Sequence, residues 1–131
     1  MAESSNRAFK YGILTRGEFR VLLILPSRDP SAEIHCHLLK DTFEAAEPYV
    51  ALSYMWGSVV LKEQIIVNDT PFPVGKNLSN ALRRMRQPEV AQRIWADAIC
   101  INQSDIGEKN IQVAQMRNIY SRADRVAIWL G

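Results

Sequence analysis

Apolar residues along the chain fall into blocks of two periods, and the shorter period comes first. Phe19-Arg20-Val21-Leu22-Leu23-Ile24-Leu25 is a near-continuous apolar run closed by the turn cluster Pro26-Ser27-Arg28-Asp29-Pro30, and it predicts a first strand. From Ile34 to Leu39 the pattern alternates: Ile34, Cys36 and Leu38 share one face and His35 and His37 the other, which predicts the second strand of an antiparallel pair. Tyr49 to Tyr54, entered after Pro48, reads as a third strand that leaves through Met55-Trp56-Gly57. Gln64 to Val67 and Phe72 to Val74 bracket the turn residues Asn68-Asp69-Thr70-Pro71 and predict a β-hairpin, with Pro71 and Pro73 confining its second arm to an edge.

The period then lengthens. Leu78, Ala81, Leu82 and Met85 recur at i, i+3, i+4 and i+7 behind Asn77 as N-cap, and Pro88 ends this helix. Arg83, Arg84 and Arg86 crowd its last turn, where cations suit the helix dipole. Arg93 to Gln103 is an apolar run interrupted by Asp97 and closed by two amides; it reads as a central strand, in which a carboxylate needs either partners or an opening into a cleft. Asp105-Ile106-Gly107-Glu108 has the form of a capping box and opens a second helix with a buried stripe of Val113, Met116, Tyr120 and Ala123, widened by Ile111, Ala114 and Ile119. Val126 to Gly131 is a final strand, apolar on both faces.

This order implies right-handed crossovers and an α/β fold: a small parallel-core sheet flanked by helices, with an N-terminal antiparallel strand pair and a β-hairpin insertion. In such sheets ligands bind beyond the carboxyl ends of the strands. Ser53 to Gly57, Asp97 to Gln103 and Gly131 are then expected on one rim, with Trp56 and Asp97 as neighbours.

Composition narrows the class. The 131 residues suit one domain, 11–131, behind a flexible tail of residues 1–10. With 16 Lys and Arg against 14 Asp and Glu the net charge is +2, too weak a field to name nucleic acid or anionic lipid as a partner. Val21 to Leu25 is too short to cross a bilayer and the first ten residues lack a signal-peptide core, so an intracellular protein is expected. Cys36 and Cys100 read as small buried hydrophobes, and His35 and His37, without a third ligand, as a solvated strand face with no metal.

Several long stretches, in order, carry a family resemblance. They are Tyr49 to Gly57, then Asn77-Leu78 with Ala81-Leu82, then Ile94 to Gln103, then Glu108, Gln112-Val113, Met116, Ile119-Tyr120 and Trp129-Leu130-Gly131. The chain from about Phe19 onward resembles the fungal heterokaryon-incompatibility (HET) domain. The resemblance implies a fungal, cytoplasmic protein that triggers programmed cell death when non-self is recognised, and a kinship with the three-layer TIR and flavodoxin-like folds, some TIR members hydrolysing NAD. Position 55 is Met where the family often has Cys or Thr, against a thiol nucleophile there, and family members usually continue beyond residue 131, so a C-terminally truncated domain is expected.

Two functions follow from the resemblance. In the first, the rim hydrolyses NAD as substrate, with no other cofactor: Asp97 or Glu108 is the catalytic carboxylate that stabilises positive charge on the sugar, and Ser53, Tyr54, Trp56, Gly57, Cys100, Asn102 and Gln103 bind the substrate. In the second, the domain is a non-enzymatic module that signals by self-association or by recruiting an NLR-type or effector partner. Residue by residue the structural alternatives stand beside these roles: Glu108 as a helix cap, Asp97 as a hydrogen-bonded anchor, Tyr54 and Trp56 as core aromatics.

Overall fold

The computed structural model describes residues 9–56 and 62–130; the other residues, among them Gly57 and Gly131, lie outside the description. In chain order the elements are β1 (Glu18–Ile24), β2 (His35–Thr42), β3 (Val50–Tyr54), β4 (Lys62–Val67), β5 (Thr70–Gly75), α1 (Lys76–Met85), β6 (Gln92–Trp95), α2 (Asp97–Cys100), α3 (Ile106–Ala114), α4 (Met116–Arg122) and β7 (Arg125–Trp129).

All seven strands join one mixed sheet in the order β5-β4-β2-β1-β6-β3-β7. The parallel core foreseen from the strand–helix–strand order is the trio β6, β3 and β7. The N-terminal pair is antiparallel as expected, but β1 also runs antiparallel beside β6, so the pair is fused to the parallel core. Nor is the hairpin an insertion set apart: β4 lies parallel to β2 and extends the same sheet. The reason is burial, because Ile65 and Val67 are wholly enclosed and reach that state only by continuing a sheet already covered on that face. The hairpin turns on Asn68 and Asp69 alone, with φ of 50° and 62°, a mirror-image turn whose conformation these two residue types tolerate. Its second arm, β5, is an edge strand, as Pro71 and Pro73 require.

Helices cover both faces. Leu78, Ala81 and Leu82 of α1 are buried in the predicted stripe. On the other face the Tyr49 hydroxyl donates to the Ile119 carbonyl of α4, and Trp95 meets Tyr120 edge to face at 5.5 Å. Arg83 and Arg86 do more than suit the helix dipole: their guanidinium groups donate to the carbonyls of Pro30 and Ala32, and Arg86 also to those of Asp29 and Glu33, so they shape the loop between β1 and β2.

Three local expectations are corrected. Asn77 is not the N-cap of α1; Gly75 is, without a side-chain cap. The run from Arg93 to Gln103 is not one strand, for β6 ends at Trp95 and Asp97 opens the single turn α2. Ala96, Ile99 and Cys100, spaced i, i+3 and i+4, are all fully buried, a helical stripe hidden inside a run apolar on every side. The last predicted helix is two, broken at Gln115, and Ile111 and Val113 are 63% and 49% exposed. Gln112 takes the inward place, its amide donating to the Glu18 carbonyl at the start of β1.

Candidate functional site

The carboxyl ends of β3, β6 and β7 share one rim, and two polar clusters are built there. The first surrounds Asp97. Tyr54 ends β3 and the chain passes through Met55 to Trp56, whose indole N–H donates to Asp97 Oδ1 at 3.3 Å across 41 residues of sequence. Trp56 is 48% exposed and Asp97 half-buried, so the pair stands at the surface. The Tyr54 hydroxyl is buried and finds no hydrogen-bond partner among the described residues. Its ionisation is strongly disfavoured, first by burial and then by the Asp97 carboxylate beside it. The Tyr120 hydroxyl is also pushed up, by burial first and Asp97 second, while a hydrogen bond with Ser53 opposes the shift.

The rim is braced from behind. Asn77 donates from its amide to the Met55 carbonyl at 2.6 Å and accepts the Trp129 indole N–H at 2.8 Å, joining the ends of β3 and β7. At Gly75 an added Cβ would lie 3.3 Å from the Trp56 carbonyl, so a small residue lets the two backbones approach. Gln103 donates to the Asp97 backbone carbonyl at 2.9 Å and fixes the loop after α2.

The second cluster surrounds Glu108. Its two carboxylate oxygens take both arms of the Arg20 guanidinium at 2.7 Å, and one of them also accepts the Asn102 backbone N–H at 2.7 Å. Arg20 is 2% exposed and donates further to the carbonyls of Cys100 and Gly12, with its guanidinium 4.6 Å from the centre of the Tyr11 ring. The Tyr11 hydroxyl donates to the Ile99 carbonyl at 2.6 Å. Half of the capping box forms: Asp105 accepts the Glu108 N–H at 3.0 Å, but the Glu108 carboxylate goes to Arg20 instead of returning to Asp105. Glu108 thereby ties β1, the N-terminal segment and the loop after α2 to α3. It forms part of the wall of a cavity of about 680 Å³ that also touches Tyr11 to Glu18, Phe43, Ile111 and Gln112.

The remaining candidates divide between these clusters. Ser53, Tyr54, Trp56 and Gln103 gather with Asp97, whereas the Asn102 side chain accepts the Ser104 N–H and shapes a turn. The Cys100 thiol is fully buried against the Ala96 N–H, a place no solute reaches without opening the fold. Gly57 lies outside the described residues. Sequence reasoning did not place Arg20, Asn77 or Trp129 at the site, although Asn77 and Trp129 stand in the motifs that carry the resemblance; the signal for Arg20 was present, a lone cation in an apolar strand. Among the described residues no three His, Cys, Asp or Glu side chains are grouped to hold a metal ion, and no helix is long and apolar enough to cross a membrane.

Burial pushes the Cys36 and Cys100 thiols up to about 12. The neutral thiol is therefore favoured by the fold, so the stability it lends is whole below the ordinary thiol value of 9.0 and declines as pH climbs from there toward 12. A melting series across this range should fall more gently for Cys100→Ala than for the parent chain, and equal slopes would disprove the assignment.

Residues 49–131 match the family described as Heterokaryon incompatibility protein (HET). The chain is also 34% identical over 125 residues to Heterokaryon incompatibility protein 6, OR allele, of Neurospora crassa, a match that covers 86% of this chain and 18% of that protein. The chain thus spans less than a fifth of that relative's length. No solved structure matches it.

Proposed function

Because the chain belongs to the heterokaryon incompatibility (HET) family, we propose that it serves fungal non-self recognition as a cytoplasmic signalling module, converting recognition into programmed cell death through the rim around Asp97. The observation that carries this reading is the Trp56–Asp97 contact. Among the described residues the Asp97 carboxylate accepts one hydrogen bond, at 3.3 Å from an exposed indole, and it stands half-buried at the surface, where a partner can reach it. Glu108, by contrast, spends its charge on Arg20 and acts as scaffold. The partner is a protein, an NLR-type receptor or an effector, met by an aromatic and an anion at a surface whose backbone Asn77 holds in place.

A second reading is favoured by the same pair. A carboxylate beside an aromatic, at the carboxyl ends of three parallel strands, suits NAD glycohydrolysis, with Asp97 stabilising the developing sugar cation. The test is induced expression of the chain in fungal hyphae, scoring cell death while following cellular NAD. Death without NAD loss supports the signalling module, death preceded by NAD collapse supports the hydrolase, and healthy hyphae containing folded protein would defeat both.

A further inference from the structure

The segment that leads into β1 is anchored at its far end and spans a void in its middle. Phe9 packs edge to face on Tyr11 at 5.0 Å and on Phe72 of β5 at 5.3 Å. The Tyr11 hydroxyl donates to the Ile99 carbonyl at 2.6 Å, and the Gly12 carbonyl accepts from Arg20 at 2.7 Å. Between this anchor and β1, residues 13–16 form neither helix nor strand, and Ile13 is 82% exposed. They line the cavity of about 680 Å³, with Glu108, Ile111 and Gln112 of α3 also in its wall. A segment that spans a void of that size lacks the dense contact that holds a protein interior together, so its attachment depends on the anchor. It joins β1 at Gly17, whose φ of 81° suits glycine and where an added Cβ would meet nothing within 4 Å.

We propose that residues 9–17 form a detachable strap and that Tyr11, its anchor, is a positioning residue for Asp97, so that lifting the strap loosens the rim. The proposal rests on the reading of the rim around Asp97 as the working surface. α2 is a single turn, Asp97–Cys100, with Asp97 at its first position. A helix this short is not held by its own bonds, and its last carbonyls have no N–H of the same helix to meet. Two of them are met from outside, that of Ile99 by Tyr11 and that of Cys100 by Arg20. The Arg20 guanidinium also holds the Gly12 carbonyl and lies 4.6 Å from the centre of the Tyr11 ring, so the strap and the turn are tied to the same two side chains. Burial of Ile99 and Cys100 keeps the turn in the core whether or not the strap is attached. The strap decides the tilt of the turn. The contact most sensitive to tilt is the 3.3 Å bond from Trp56 to Asp97, which a shift of about half an ångström takes beyond hydrogen-bonding distance. Gln103 holds the Asp97 backbone carbonyl, which fixes the main chain there but not the carboxylate.

Tyr11→Phe is the test, because it keeps the ring against Phe9, Phe72 and Arg20 and deletes only the bond to α2. Two readings are taken on the full chain. The first is trypsin cleavage of the Lys10–Tyr11 bond under native conditions, which should be about fivefold faster in Tyr11→Phe than in the parent, as the loss of one hydrogen bond from the closed state predicts. The second is the nuclear magnetic resonance signal of the Trp56 indole N–H, identified by its disappearance in Trp56→Phe. In Tyr11→Phe this signal should move upfield, toward its position in Asp97→Ala, where the acceptor is gone. The signal of Trp129, bonded to Asn77, should stay in place. Ile13→Ser, on the exposed span, should change neither reading. Cleavage of Tyr11→Phe at the parent rate would overturn the strap, and faster cleavage with an unmoved Trp56 signal would overturn its link to the rim. An equal shift in Ile13→Ser would also overturn it, since the effect would then not come from the anchor. Both readings are made on purified protein and failure of the rim is read in hyphae, so neither masks the other.

Discussion

Arg20→Met is expected to cost about 3–5 kcal/mol of stability, since it strips the partner from a buried carboxylate. In a domain whose whole stability is on the order of 5–15 kcal/mol, that is a drop of about 10 °C or more in thermal midpoint, with part of the protein unfolding near physiological temperature. The size of the effect comes from what Arg20 leaves behind. Glu108 loses both of its 2.7 Å charge-assisted bonds, and the carbonyls of Cys100 and Gly12 lose their donor. Arg20→Lys should recover little, because a point charge cannot satisfy two carboxylate oxygens and two carbonyls in one plane. The double variant Arg20→Met, Glu108→Leu should recover most of the loss, as apolar replacement of an entire buried pair often does. Thermal melts of the four proteins decide the matter. A double variant as unstable as Arg20→Met would mean that the bonds to Cys100 and Gly12, and not the ion pair, hold the N-terminal segment.

Arg20 also marks where the sequence was legible and where it was not. The strands were readable because alternation and flanking turn residues give a period of two with contrast, as in Ile34, Cys36, His35 and His37, whose buried and exposed faces are those expected. The convergence of Trp56 and Asp97 was readable too, because it needs only parallel strands and a shared carboxyl edge. The Ile94 to Ile101 stretch was not, since a run apolar on all sides has no contrast to separate a strand from a helical turn. Gln112 against Val113 failed for another reason: hydrophobicity put valine inside, but the inward place faces the Glu18 carbonyl, and only a side chain with a donor satisfies it. Charge was weighed unevenly. The question put to Asp97, what partners a lone charge in an apolar run, applied equally to Arg20 and would have led to Glu108.

Asp97→Asn is expected to leave the fold nearly untouched and to reduce cell killing at least about tenfold. Little stability is at stake because, among the described residues, the carboxylate accepts one 3.3 Å bond from an indole at the surface, and asparagine keeps an oxygen for it; the expected cost is about 1 kcal/mol or less. What is lost is the negative charge facing outward beside Trp56. Trp56→Ala should act in the same direction by removing the aromatic surface. Glu108→Gln is the contrasting variant: it weakens the Arg20 pair, lowers the melting temperature, and should reduce killing only in proportion to the folded protein lost. Hyphal killing and melting curves for the three variants, with NAD measured alongside, divide the possibilities. If Asp97→Asn abolishes both killing and NAD loss, the carboxylate takes part in hydrolysis. If it abolishes killing while NAD is steady in every strain, the charge recognises a partner. A folded Asp97→Asn that kills as well as the parent would remove the rim from the mechanism.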